Sequence, residues 1–207
     1  KNIKLIFGDI EFISDKKEHI KNILWTDKRS MNALDFKIEV LRKGFSPLPS
    51  AILFSTRDAL EAGGFSEKYK VAVDMGLMFE VLEKDGVILN ANKVIAQYMQ
   101  HDSSHTQFIH PDDNFFTFQN LVDNTFLYFK GTKSELKKLK HISSISLIKS
   151  RIYTSIHFFQ EGRFGFIQSL LSIAKGFKYI NSFKSLFFLL KGLLLLILIK
   201  LKLYNKI

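Results

Sequence analysis

Short apolar runs with turn residues at their ends are confined to the first half of the chain, and in the second half apolar residues recur every three or four positions. The segment Lys4–Ile13 is apolar up to Phe7, alternates apolar and acidic residues from Asp9, and meets a turn at Ser14-Asp15-Lys16-Lys17. That pattern predicts a strand, a break at Gly8-Asp9, and a second short strand. Residues 19–45 carry a weaker rhythm, which predicts a loop followed by a helix, with Trp25, Leu34, Phe36, Ile38 and Leu41 buried. After Pro47-Leu48-Pro49 comes Ser50–Ser55, a compact apolar run of strand length, and Thr56 is the predicted N-cap of a helix that stops at Gly63-Gly64. Asp74 starts the next helical rhythm, with Leu77, Met78, Val81 and Leu82 ending at Asp85-Gly86. Val87–Leu89 and Val94–Met99 predict two further short strands.

Alternating helices and strands predict an α/β architecture over residues 1–110. Strand signals cease beyond that point. Phe115, Phe116, Phe118, Leu121, Val122 and Phe126 mark one helix, Leu136–Phe159 a second, and Phe164–Tyr179 a third beyond a turn at Glu161-Gly162-Arg163. Residues 111–181 are therefore expected to form a helical appendage of two or three hairpin-connected helices. Residues 182–207 are the most hydrophobic part, yet their longest charge-free run is the eight residues Gly192–Ile199. A spanning helix needs about 20 apolar residues. At about 100° per residue Lys184, Lys191 and Lys202 return to one stripe, which fits a helix lying in or re-entering the headgroup region better than one crossing the bilayer, with a buried or oligomer-forming helix as the other alternative.

Length and composition narrow the chemistry. The 207 residues suffice for a sizeable core, and the absence of cysteine excludes a disulfide scaffold, a thiolate metal site and a cysteine nucleophile. The net charge of +10 is uneven: residues 1–130 hold 16 Lys and Arg against 18 Asp and Glu, whereas residues 131–207 hold 14 against 2. Such a cationic end suits nucleic acid or an anionic membrane surface. Of the 30 basic residues 25 are lysine, which lacks the planar fork that suits arginine to phosphate and base edges, so nucleic acid is the weaker expectation.

Asp74, among Val71, Ala72, Val73 and Met75, reads either as a helix N-terminal Asp that satisfies backbone N–H groups or as a general base for a hydroxyl nucleophile. His101, His105 and His110 with Asp102, Asp112 and Asp113 form a polar cluster whose spacing fits no zinc signature. Gly63-Gly64 stands alone and makes no P-loop or dinucleotide fingerprint.

Three pieces carry a resemblance over Phe7–Thr106. Phe7-Gly8-Asp9-Ile10-Glu11-Phe12-Ile13 is one. The second is the stretch Pro49–Glu67, with Phe54-Ser55-Thr56-Arg57-Asp58-Ala59-Leu60-Glu61-Ala62-Gly63-Gly64-Phe65 at its centre. The third comprises Asp74–Leu82 and Tyr98-Met99-Gln100-His101-Asp102-Ser103-Ser104. In order and spacing these resemble the second half of the catalytic domain of the family 2 inverting nucleotide-sugar glycosyltransferases, which have a GT-A fold.

The resemblance implies that Asp74 is the catalytic base, that Gly63, Gly64 and Phe65 form the loop that meets donor and acceptor sugars, and that His101 meets a divalent cation (magnesium or manganese) or the donor diphosphate. It implies a nucleotide-sugar donor, a glycan or lipid-linked acceptor, and work on cell-surface polysaccharide at the cytoplasmic face of a bacterial membrane, with the cationic end on anionic lipid. The nucleotide-binding half and its D-x-D carboxylates are expected before Lys1, so the fold expected here is a partial GT-A domain followed by a helical region. Val73, Gly76 and Glu80 depart from the family pattern, where Glu, a second Asp and Arg are frequent. The alternative is a non-catalytic membrane-surface or assembly module derived from such an enzyme.

Overall fold

A computed structural model describes residues 2–83, 86–99 and 110–201 and shows a mixed α/β protein. The first and last long strands, β1 (Ile3–Ile13) and β5 (Val87–Met99), run parallel side by side. On the other side of β1 lie β4 (Ile52–Phe54), against Leu5–Phe7, and β2 (His19–Ile23), against Ile10–Ile13, both antiparallel. Strand β3 (Ser30–Asn32) closes the far edge, antiparallel to β5.

Two expected breaks are absent. β1 continues through Gly8-Asp9, and β5 joins the two segments predicted as separate strands. Phe7 pairs with Asn90 and Asp9 with Val94, so three residues of β5 bulge opposite Gly8 alone. A Cβ on Gly8 would stand 2.6 Å from the Ile95 side chain and 2.9 Å from the Lys93 carbonyl oxygen. Gly8 is thus a close-approach residue inside a strand. The bulge is shaped by Asn92, whose positive φ of 50° suits asparagine, and the Asn90 carboxamide oxygen accepts the Asn92 N–H at 2.9 Å.

Residues 19–45 are likewise richer than a loop and a helix: β2 and β3 precede α1 (Ala33–Lys43). Asn32 caps α1 by accepting the Asp35 N–H at 2.7 Å, and Gly44 ends it at φ 82° with its N–H on the Val40 carbonyl. Phe36, Val40 and Leu41 are its core face, while Leu34 and Ile38 are only half-buried. The rings of Phe7, Trp25 and Phe36 meet at centroid separations of 5.1–6.2 Å.

The helices α2 (Thr56–Glu61) and α3 (Val73–Val81) lie within the β1–β5 crossover. They are followed by α4 (Pro111–Leu127), α5 (Lys133–Gln160), α6 (Phe166–Ala174) and α7 (Phe183–Lys200). The 28-residue α5 starts in a capping box, with Thr132 and Glu135 satisfying each other's backbone N–H groups. The core beneath the sheet runs across residue 110: Phe115, Phe118, Leu121 and Val122 of α4 and Leu139 and Leu147 of α5 pack with Leu5, Phe7, Phe36 and Ile88. A second apolar cluster joins α5, α6 and α7 through Ile148, Ile152, Ile156, Ile173, Leu189 and Leu196. Among the described residues no helix is long and apolar enough to cross a membrane.

Candidate active site

The segment from α2 to α3 carries four of the expected site residues. The cap of α2 is Ser55, not Thr56: its Oγ accepts the Asp58 N–H at 3.3 Å, and Thr56 is the first helical residue. Asp58 faces inward and binds Lys4 Nζ of β1 at 2.7 Å, with both side chains more than nine-tenths buried. This pair fastens the short helix to the sheet. At its end Gly63 and Gly64 take φ 86° and 72°, and the Gly64 N–H returns to the Ala59 carbonyl at 2.9 Å. A Cβ would meet nothing within 4 Å at either glycine, so the left-handed backbone, not lack of room, calls for glycine there.

The two glycines project Phe65 into solvent, 69% exposed. A short 3₁₀ turn (Glu67–Tyr69) then brings the chain back inward. Tyr69 is fully buried; its hydroxyl donates to Glu80, and its carbonyl accepts the Thr117 hydroxyl at 2.6 Å. Asn120 donates to the Lys68 carbonyl. Helix α4 thereby holds the loop from behind. The loop ends at Asp74, half-buried in the first turn of α3, where Oδ1 accepts the Met75 N–H at 2.8 Å. Oδ2 has no hydrogen-bond partner among the described residues.

Two departures from the family pattern have structural explanations. Gly76 lies under the Tyr69 ring, where a Cβ would come within 2.0 Å of it. Glu80 accepts from Tyr69, Lys68 and the Asn124 amide. Burial opposes its ionisation, but hydrogen bonding with the Glu83 carboxyl, Lys68 and Tyr69, together with the Lys68 charge, outweighs burial and holds its carboxyl well below the usual range. For Val73, half-buried, nothing in the structure explains the departure.

His101, Asp102 and His105 lie outside the described residues. His110 caps α4, its Nδ1 accepting the Asp112 N–H at 3.2 Å, and Asp112 pairs with the buried Arg151. Among the described residues no three His, Asp or Glu side chains gather as a metal ion would require.

The sequence rhythm did not show Lys37 as an interior residue. Its ammonium donates to Asn124 Oδ1 at 2.8 Å and lies over the rings of Phe79 and Tyr128. It lines a cavity of about 370 Å³ together with Glu83, Thr125, Tyr128, Lys130 and Glu135; Asp74 and the glycine loop lie outside that cavity. Burial, partly offset by Glu83 and Glu80, pulls the Lys37 pKa down to about 8. The unfolded chain holds this proton up to about pH 10.4, so between about pH 8 and 10 native Lys37 has released a proton that the unfolded chain keeps. Stability is therefore expected to rise with pH across that window, by up to about 3 kcal/mol. Burial and Glu80 raise the Tyr69 pKa. Unfolded Tyr69 ionises near pH 10 and native Tyr69 does not, so the gain reverses above that pH. Urea midpoints at pH 7, 8, 9 and 10 test this, and a slope that survives Lys37→Met would rule Lys37 out as its source.

The architecture is thus a mixed α/β sheet protein whose α2–α3 loop presents a carboxylate, two left-handed glycines and an exposed phenylalanine. Comparison of the chain with protein-family models, with curated proteins and with solved structures finds no match in any of the three.

Proposed function

We propose that the chain is the acceptor-side part of an inverting nucleotide-sugar glycosyltransferase of GT-A fold, acting on a glycan or lipid-linked acceptor in cell-surface polysaccharide synthesis. The observation that carries this is the Asp74 carboxylate. It ends a Gly-Gly-Phe loop braced by Tyr69 and α4, and Oδ2 has no partner among the described residues. In the proposed step the acceptor hydroxyl oxygen attacks the anomeric carbon, its proton passes to Asp74, and the bond from that carbon to the diphosphate breaks, releasing the nucleoside diphosphate. Gly63 and Gly64 leave room for the sugars, and Phe65 offers an apolar face to one of the rings. A magnesium or manganese ion with His101 rests on the family resemblance alone. The described residues do not supply a metal-binding set, and the step uses none.

The test is release of nucleoside diphosphate when the polypeptide carrying this segment is given nucleotide sugars and membranes as acceptor, beside its Asp74→Asn variant. Equal release by both sinks the proposed base. A second reading, a non-catalytic assembly module, is favoured by Gly76 and Glu80, which serve the packing of Tyr69 where family members carry an acid and an arginine. It predicts no release above background with any donor.

A further inference from the structure

Helix α7 divides into two faces. Ser185, Leu189, Gly192 and Leu196 turn inward, and Gly192 lies so near Ile152 of α5 that a Cβ would meet its side chain at 2.6 Å. On the opposite side Phe183, Phe187, Leu190, Leu194, Ile197 and Leu201 are 40–84% exposed. At about 100° per residue these six fall within about 40° either side of one line along the helix. Lys184 and Lys191 lie about 90° to one side of that line and Lys200 about 100° to the other, all three exposed. The lysines therefore flank an apolar stripe: Lys184 and Lys191 share the side expected from the sequence, Lys200 lies on the other, and Lys202, the third lysine of the expected stripe, lies outside the described residues.

We propose that this outward face of α7 is a docking surface for an anionic phospholipid bilayer, the helix lying in the plane of the interface. Six large apolar side chains would enter the acyl boundary, and the flanking lysines would reach out to the headgroup phosphates on long apolar stems. The inward face is already satisfied by α5 and α6, so no rearrangement of the helix is needed.

Charge selects this occupant over a second copy of the chain. The stripe's spacing of four and three residues would also suit a coiled-coil seam, but residues 162–207 contain no Asp or Glu to pair with the lysines. Two such faces together would set cation against cation. Anionic lipid supplies the complementary charge at about 1 kcal/mol per lysine near the surface. This surface does not rest on the transferase proposal, and the experiment requires no sugar transfer.

The experiment is flotation of the full chain with vesicles of phosphatidylcholine alone and of phosphatidylcholine with about one-third phosphatidylglycerol, at graded salt. Binding to the anionic vesicles is expected, weakening with salt but not vanishing. Lys184→Ser with Lys191→Ser should lower it about 25-fold, about 5-fold per lysine. Leu190→Glu with Leu194→Glu should abolish it; both leucines are at least half exposed, so helicity by circular dichroism should persist. Equal flotation with neutral vesicles overturns the proposal, and so does binding unchanged in the lysine variant. A dimer by light scattering that the Leu190→Glu, Leu194→Glu variant dissolves, with no flotation of the parent, assigns the face to a second copy instead.

Discussion

Asp74→Asn is expected to lower sugar transfer by about 10²- to 10⁴-fold, the usual weight of a general base, with the thermal midpoint nearly unchanged. The asparagine keeps an Oδ1 that can accept the Met75 N–H, so the first turn of α3 retains its local bond. What is lost is the proton acceptor, together with a charge at the helix N-terminus worth about 0.3–1 kcal/mol. Initial rates of nucleoside diphosphate release, measured beside melting curves, separate the two effects. A variant that unfolds early would attribute the loss to structure. A variant that melts normally and turns over at full rate removes Asp74 from the chemistry.

Gly76→Ala is expected to destabilise the fold by about 1–3 kcal/mol, the range for overpacking a filled interior. Helix propensity alone predicts the opposite sign, because alanine is better than glycine inside a helix by about 1 kcal/mol. The difference arises from the Tyr69 ring, whose Cδ2 and Cγ would stand 2.0 and 2.2 Å from the new methyl carbon. The ring cannot swing clear without breaking its hydroxyl bond to Glu80 and pulling on a backbone tied to Thr117. Gly76→Asp, the family-like residue, adds the desolvation of a charge and should cost more. Urea unfolding of Gly76→Ala, Tyr69→Ala and the double variant checks the mechanism. If the ring is the obstacle, the alanine at 76 becomes neutral or stabilising once the ring is gone, a coupling of more than about 1 kcal/mol. Additive losses would refute it.

Both predictions concern the same loop, whose parts differ in how far they could be read from the sequence. Gly63-Gly64 and the place of Asp74 in the first turn of α3 were legible because their causes are local: a left-handed helix end needs glycine, and an acidic residue suits a first turn. The place of Tyr69 was not, since a tyrosine between two lysines carries no apolar rhythm and its burial depends on α4, about 50 residues downstream. Lys37 is a similar case. A lysine in an amphipathic helix reads as solvated, and only the Asn124 carboxamide and the rings of Phe79 and Tyr128 make an interior ammonium tolerable.

The chain's own pattern determined the mixed α/β character of the first half, the helical second half, the α2 stop, and the cationic apolar end. Each rests on interactions within a few residues, which the local order of side chains specifies. The tertiary structure decided that β1 runs unbroken through Gly8-Asp9, because glycine there admits the bulge of β5 rather than turning the chain. It likewise decided that one core spans residue 110, and that α7 spends Leu189, Gly192 and Leu196 on α5 and α6 while leaving Leu190 and Leu194 outside. Those outcomes depend on partners far away in sequence, and a run of leucines does not record which of its faces such a partner will cover.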